Sequence, residues 1–289
     1  MNDLVQIGLI QSFASSDLDQ NLSNAVERCL IAAEQGAQVI CLTELFRSPY
    51  PCQIEDHQCF EWAESLDGPS IKALQLVAEK KSVVIIAPIF EERSPGLYHN
   101  SAAVIDADGS IAGVYRKMHI PDDPGFYEKF YFTPGDLGFQ AIQTRYAKIG
   151  ILICWDQWFP EAARLTAMKG AEILFYPTAI GTPVDESESE RERQHTAWET
   201  IQRSHAIANG TYVVSANRAG VEEKTKFWGQ SFICDPMGEI MEKSSEEKEE
   251  IVTATCSLTE VKKTRQHWPF FRDRRIDHYS ELTKIWSDQ

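Results

Sequence analysis

At 289 residues, with 43% hydrophobic and 25% charged residues, the chain has the composition of a globular protein with one large core, which excludes disordered, fibrous and collagenous classes. A formal charge of -15 argues against nucleic acid as a partner, because phosphate binding needs clustered Lys and Arg. Seven cysteines without paired short spacings indicate neither a zinc site nor a disulfide framework, and they fit a reducing cytoplasm.

Residues 4–11 read as a core strand. The preceding Met1-Asn2-Asp3 has none of the basic character of a secretion signal, and no apolar run approaches membrane-spanning length. Residues 22–34 have helical periodicity with a stop at Gly36, and residues 39–44 form the next strand, completing a βαβ unit that delivers a carboxylate, Glu44, at its end. Cys52, His57 and Cys59 share the following loop, too few ligands for a metal. Strands over 83–90 and 101–104 come next. A turn at Asp106-Ala107-Asp108-Gly109 then leads into the strand 111–117, which delivers an amine, Lys117, just before the turn residues 121–125.

The second half repeats the grammar. Residues 148–154 form a strand ending in Cys154, Pro160 suits the first position of a helix over 160–169, Gly170 stops it, and 173–177 is a strand. A cysteine on such a strand-to-helix turn is expected to feel the helix N-terminus, which favours an accessible thiolate. A helix over 188–208 ends near Asn209-Gly210. After it come a strand over 212–216, a hairpin over 232–240 around Asp235-Pro236-Met237-Gly238, and a solvated charged turn over 242–250. Strands backed by helices in both halves suggest two stacked sheets within a single domain, residues 1–289. Ligands of open α/β sheets sit outside the carboxyl ends of the strands, so Glu44, Lys117 and Cys154 are expected to face one pocket. The tail, about 262–289, mixes Trp268, Phe270 and Phe271 with Arg272, Arg274 and Arg275, a composition enriched at subunit interfaces.

Three motifs, CLTELF around Glu44, YRKMHIP around Lys117 and ICWDQWFPE around Cys154, resemble in order, spacing and local sequence the Glu-Lys-Cys triad of the nitrilase, or carbon-nitrogen hydrolase, superfamily. The resemblance runs from Val5-Gln6-Ile7-Gly8 to Phe271-Arg272-Asp273-Arg274-Arg275. It implies an α/β fold, the four-layer α-β-β-α sandwich, and a homo-oligomer built on a dimer. It also implies hydrolysis through a cysteine-linked thioester, with Glu44 as base and Lys117 and the backbone N–H of Trp155 as oxyanion donors. Glu128 matches a second glutamate that positions substrate and supports the lysine. The scheme requires no metal or organic cofactor.

Within the superfamily, residues 154–164, residues 128–132 and the Arg-Asp-Arg-Arg tail are most similar to enzymes that convert N-carbamoylputrescine to putrescine, carbon dioxide and ammonia in polyamine synthesis. The runner-up activity is that of an ω-amidase or a carbamoyl-amino-acid hydrolase. A non-catalytic scaffold or redox sensor is the reading of another class. Asp123 stands where many relatives carry glycine, which alters the neighbouring loop. A small ureido-amine substrate with a terminal ammonium asks for carboxylates, and Asp122 and Asp185 are the candidates, with Asp123 and Glu186 as neighbours. Neither nucleic acid nor a membrane is expected as a partner.

Overall fold

In the computed structural model, which describes residues 3–287, alternation along β1 (Leu4–Gln11) sets the layering. Val5, Ile7 and Leu9 enter a core that also holds Ile149, Ile173 and Val213, whereas Ile10 joins Cys29, Ala32, Ile71 and Leu74 on the opposite side. A strand has a period of two, so both of its faces are buried only where each meets a layer. Met1 and Asn2, read above as lacking a secretion signal, lie outside the described residues, as do the last two of the tail.

One face of the first sheet is covered by α1 (Leu18–Glu34) and α2 (Pro69–Lys81). That sheet runs β15-β1-β2-β3-β4-β5, with β2 (Val39–Cys41), β3 (Val84–Ser94), β4 (Leu97–Ile105), β5 (Ile111–Arg116) and β15 (Glu250–Ser257). Between the halves lies one short helix, α3 (Glu128–Tyr131). The second sheet runs β14-β13-β10-β8-β7-β6 and comprises β6 (Ala141–Gln143), β7 (Lys148–Ile151), β8 (Ile173–Thr178), β10 (Tyr212–Asn217), β13 (Phe232–Cys234) and β14 (Ile240–Lys243). Its outer helices are α4 (Pro160–Met168) and α5 (Glu188–Asn209). Gly150 marks how closely they pack: a Cβ there would meet Thr166 of α4 at 2.3 Å. The result is the expected α-β-β-α sandwich.

Several boundaries differ from the sequence reading. Asp17 accepts from the backbone N–H groups of Asp19 and Gln20, so α1 starts at Leu18 rather than residue 22. Strand β2 stops at Cys41 instead of reaching Glu44, and β7 stops at Ile151 instead of reaching Cys154. The helix α2 and the strand β15 have no counterpart in that reading. Nor has the small third sheet, β11-β12-β9, built from β9 (Gly181–Pro183), β11 (Ala219–Glu222) and β12 (Thr225–Trp228). The tail follows the helix α6 (Leu258–His267) and leaves Ile276, Leu282, Ile285 and Trp286 exposed.

Candidate active site

Two residues beyond β2 the chain turns sharply. Leu45 adopts a left-handed backbone conformation, φ 51°, and the turn buries the Glu44 side chain completely. Lys117 directly follows β5, and its backbone N–H donates to the carbonyl of Asn100 on the neighbouring strand β4 at 2.8 Å. The ammonium of Lys117, itself buried, donates to Glu44 Oε1 at 2.9 Å and to Glu128 Oε1 and Oε2 at 2.7 and 2.8 Å. Asn100 Nδ2 donates to Glu44 Oε1 at 2.7 Å, and the Tyr50 hydroxyl donates to Glu128 Oε1 at 2.6 Å. Glu44 Oε2 is buried and has no partner among the described residues. One carboxylate oxygen therefore stays open to an incoming proton.

Cys154 opens a single 3-10 turn, Cys154–Trp158, with φ 43°. The turn is pinned by Asp156, which is wholly buried. Its Oδ2 accepts from the backbone N–H of Ile153 at 3.0 Å and from the Tyr115 hydroxyl at 2.7 Å, and its Oδ1 pairs with the ring Nδ1 of His119 at 2.7 Å and accepts from His119 N–H at 3.1 Å. One carboxylate thus ties the Cys154 turn to β5 and to the loop just after Lys117. The His119 ring stacks face to face on Phe159 at 3.7 Å.

The electrostatics correct one expectation. Cys154 is only 4% exposed and does not stand at the start of α4, which begins at Pro160. Burial, and after it the charge of Glu44, push its thiol well above the ordinary cysteine range, while the ammonium of Lys117 and the backbone N–H of Ala179 pull the other way without prevailing. The resting group is a thiol, because desolvation of the anion outweighs the nearby donors. Burial alone would lower the lysine, but the carboxylates of Glu128 and Glu44 more than reverse it and hold Lys117 as an ammonium. Glu128 is pushed up to about 7, chiefly by burial, against the pull of Lys117.

The remaining sequence candidates are dispersed. Trp155 is half-buried, and its backbone N–H has no acceptor among the described residues, leaving that donor available. Asp122, Asp123 and Asp185 are exposed; Glu186 is half-buried and accepts from the N–H of Ser187. None of these four shares a hydrogen bond with Glu44, Lys117 or Glu128 among the described residues. Tyr50, Asn100 and Asp156 escaped the sequence reading. Asp156 left one signal, an acid at the third position of a short turn, where it reaches back to the N–H of Ile153. Tyr50 and Asn100 left none.

All seven cysteines are free, and among the described residues no helix is long and apolar enough to cross a membrane. The model of the carbon-nitrogen hydrolase family matches residues 4–266. The chain is 42% identical over 294 residues to an N-carbamoylputrescine amidase of Solanum tuberosum, covering 98% of this chain and 96% of that protein. It is 39% identical to a citrullinase of Francisella tularensis, covering 97% and 98%. A solved carbon-nitrogen hydrolase from Helicobacter pylori superposes with a TM-score of 0.95 at 46% identity, covering 98% of this chain and all of the other.

Proposed function

The chain belongs to the carbon-nitrogen hydrolase family, and on that premise we propose that it hydrolyses N-carbamoylputrescine to putrescine, carbon dioxide and ammonia. The observation that carries the reading is the buried network in which Lys117 bridges Glu44 and Glu128 while one oxygen of Glu44 stays open. A ureido carbonyl is a poor electrophile, so its hydrolysis needs a strong nucleophile, a stabilised oxyanion and a protonated leaving nitrogen.

In our scheme Glu44 takes the proton of Cys154 as the sulfur attacks the carbonyl carbon. The thiol is raised by burial, so the thiolate forms only as it is used. Lys117 and the N–H of Trp155 stabilise the tetrahedral oxyanion. The C–N bond breaks as Glu44 returns the proton to the departing nitrogen, leaving on Cys154 an S-carbamoyl group, the thioester of a carbamic acid. Water, deprotonated by Glu44, then attacks that thioester and releases the free thiol and a carbamic acid that decays to carbon dioxide and amine. Loss of either nitrogen first gives the same products. Glu128 holds the ammonium of Lys117 through both of its carboxylate oxygens.

The substrate's far end is an ammonium, for which Asp122 and Asp185, exposed and without protein partners among the described residues, are the proposed acceptors. We further propose a cytoplasmic homo-oligomer of single-domain chains, with the tail from about residue 262 at the interface, a reading supported by the exposed Ile276, Ile285 and Trp286. The test is a screen of ureido and amide compounds for ammonia release, with mass spectrometry of trapped enzyme. An adduct on Cys154 and turnover of N-carbamoylputrescine support the scheme, and an adduct on Cys52 or Cys59 overturns it.

A further inference from the structure

Arg218 stands at the junction of β10 and β11, 174 residues from Glu44 in the chain, and is 1% exposed. Its Nη2 donates to the carbonyl oxygens of Glu44 and Leu45 at 3.0 and 2.9 Å. Its Nη1 donates to the carbonyl of Ser48 at 3.0 Å and to Glu222 Oε1 at 2.6 Å. Glu222 Oε2 in turn accepts from the backbone N–H of Tyr50 at 2.7 Å. One ion pair therefore grips residues 44 to 50 at four points, from Glu44 to the tyrosine that donates to Glu128.

This segment needs a grip from outside. The strand that could have held it ends at Cys41, and Leu45 sits in a left-handed conformation that a non-glycine residue tolerates only where its surroundings over-determine it. The carbonyls of Glu44 and Leu45 belong to a buried turn, where an unpaired oxygen is costly. A planar guanidinium meets several oxygens at once in a fixed fork; a lysine ammonium, a point charge on a flexible stem, does not.

We propose that Arg218, held by Glu222, is a positioning residue that sets the Glu44 carboxylate for proton exchange with Cys154. The inference rests on the reading of Glu44 as the base but not on the identity of the substrate. A substrate-free probe therefore tests it. Iodoacetamide alkylates a cysteine through its thiolate: an S–C bond forms, iodide leaves, and the thiol proton passes to the base. The rate of Cys154 alkylation, localised by mass spectrometry, thus reports how well Glu44 is placed.

Arg218→Lys is expected to slow this alkylation about 100-fold, as a displacement of about 1 Å does to a reacting group. In a Glu44→Gln background the same change is expected to matter by less than about twofold, because the path it acts through is gone. Glu222→Gln, which keeps the shape of the tie and removes its charge, is expected to give a smaller loss with the same dependence on Glu44, and it carries both arms of the test if Arg218→Lys does not fold. Equal slowing in both backgrounds overturns the proposal, as does an unchanged rate with Glu44 intact. A Glu44→Gln protein alkylated as fast as the native one removes the base itself and the proposal with it, a pattern distinct from the other two.

Discussion

Lys117 Nζ lies within hydrogen-bond distance of Glu44 and of both oxygens of Glu128, two of them on one carboxylate, and the unpartnered oxygen of Glu44 gives the network its chemical direction. Cys154→Ala is expected to abolish turnover with the fold intact, as judged by ammonia release beside a melting curve. Glu44→Gln removes the base and Lys117→Ala the cation. Each is expected to lower kcat by roughly 10²- to 10³-fold or more, and the double variant by little beyond the worse single one, because members of a catalytic unit are not additive. Additive losses measured by steady-state kinetics would separate the two residues into different steps. Glu128, pushed up to about 7 by burial, holds a proton below that pH and is ionised above it. Its charged form completes the salt bridge to Lys117, so kcat/KM is expected to rise as pH passes upward through about 7 and to lose that limb in Glu128→Gln. A limb that survives in the variant would assign it to another group.

At the scale of elements, Asp156 ties the Cys154 turn to β5 and the loop that follows Lys117, accepting from Tyr115 and from the backbones of Ile153 and His119. Asp156→Asn puts an amide donor among donors, and a buried group left unsatisfied costs roughly 1 to 3 kcal/mol. A lowered melting temperature together with a lower kcat is expected; full activity in a destabilised protein would deny that the tie aligns the site. The strand ends carrying Glu44, Lys117 and Cys154 were legible because short apolar, β-rich runs bounded by turn residues are local signals. Their last residues were not. Glu44 and Cys154 lie beyond their strands, the first just before a left-handed residue and the second itself left-handed, conformations held by tertiary contacts that no local pattern encodes. The same distance explains why Arg218, tied to the Glu44 turn across 174 residues, gave no sign in the sequence. It also explains β15, which forms only by pairing with β1 at the other end of the chain. The misjudged thiolate has a different cause: the helix start was legible, whereas the burial that outweighs it is a property of the assembled core.

Across the whole molecule, the tail carries Ile276, Ile285 and Trp286 exposed, and its Phe270 and Tyr279 bound, with Arg203 and Ile207 of α5, a groove of about 660 Å³. Large apolar side chains left in water are what the proposed subunit interface would cover. Ending the chain after residue 275 is expected to lower the mass observed by sedimentation, and an unchanged mass would place the interface elsewhere. The central claim concerns the substrate, and the measurement that meets it most directly is kcat/KM for ammonia release from N-carbamoylputrescine beside its analogues. A charge-assisted contact to the terminal ammonium is worth roughly 1.5 to 3 kcal/mol, whereas one methylene is worth about 0.8 kcal/mol. Replacing the ammonium by a methyl group or a carboxylate is therefore expected to cost about 10- to 150-fold, more than adding one carbon, and Asp122→Asn or Asp185→Asn to erase most of that preference. Faster hydrolysis of N-carbamoyl-β-alanine, or of an ω-amide of a dicarboxylic acid, than of N-carbamoylputrescine would contradict the account.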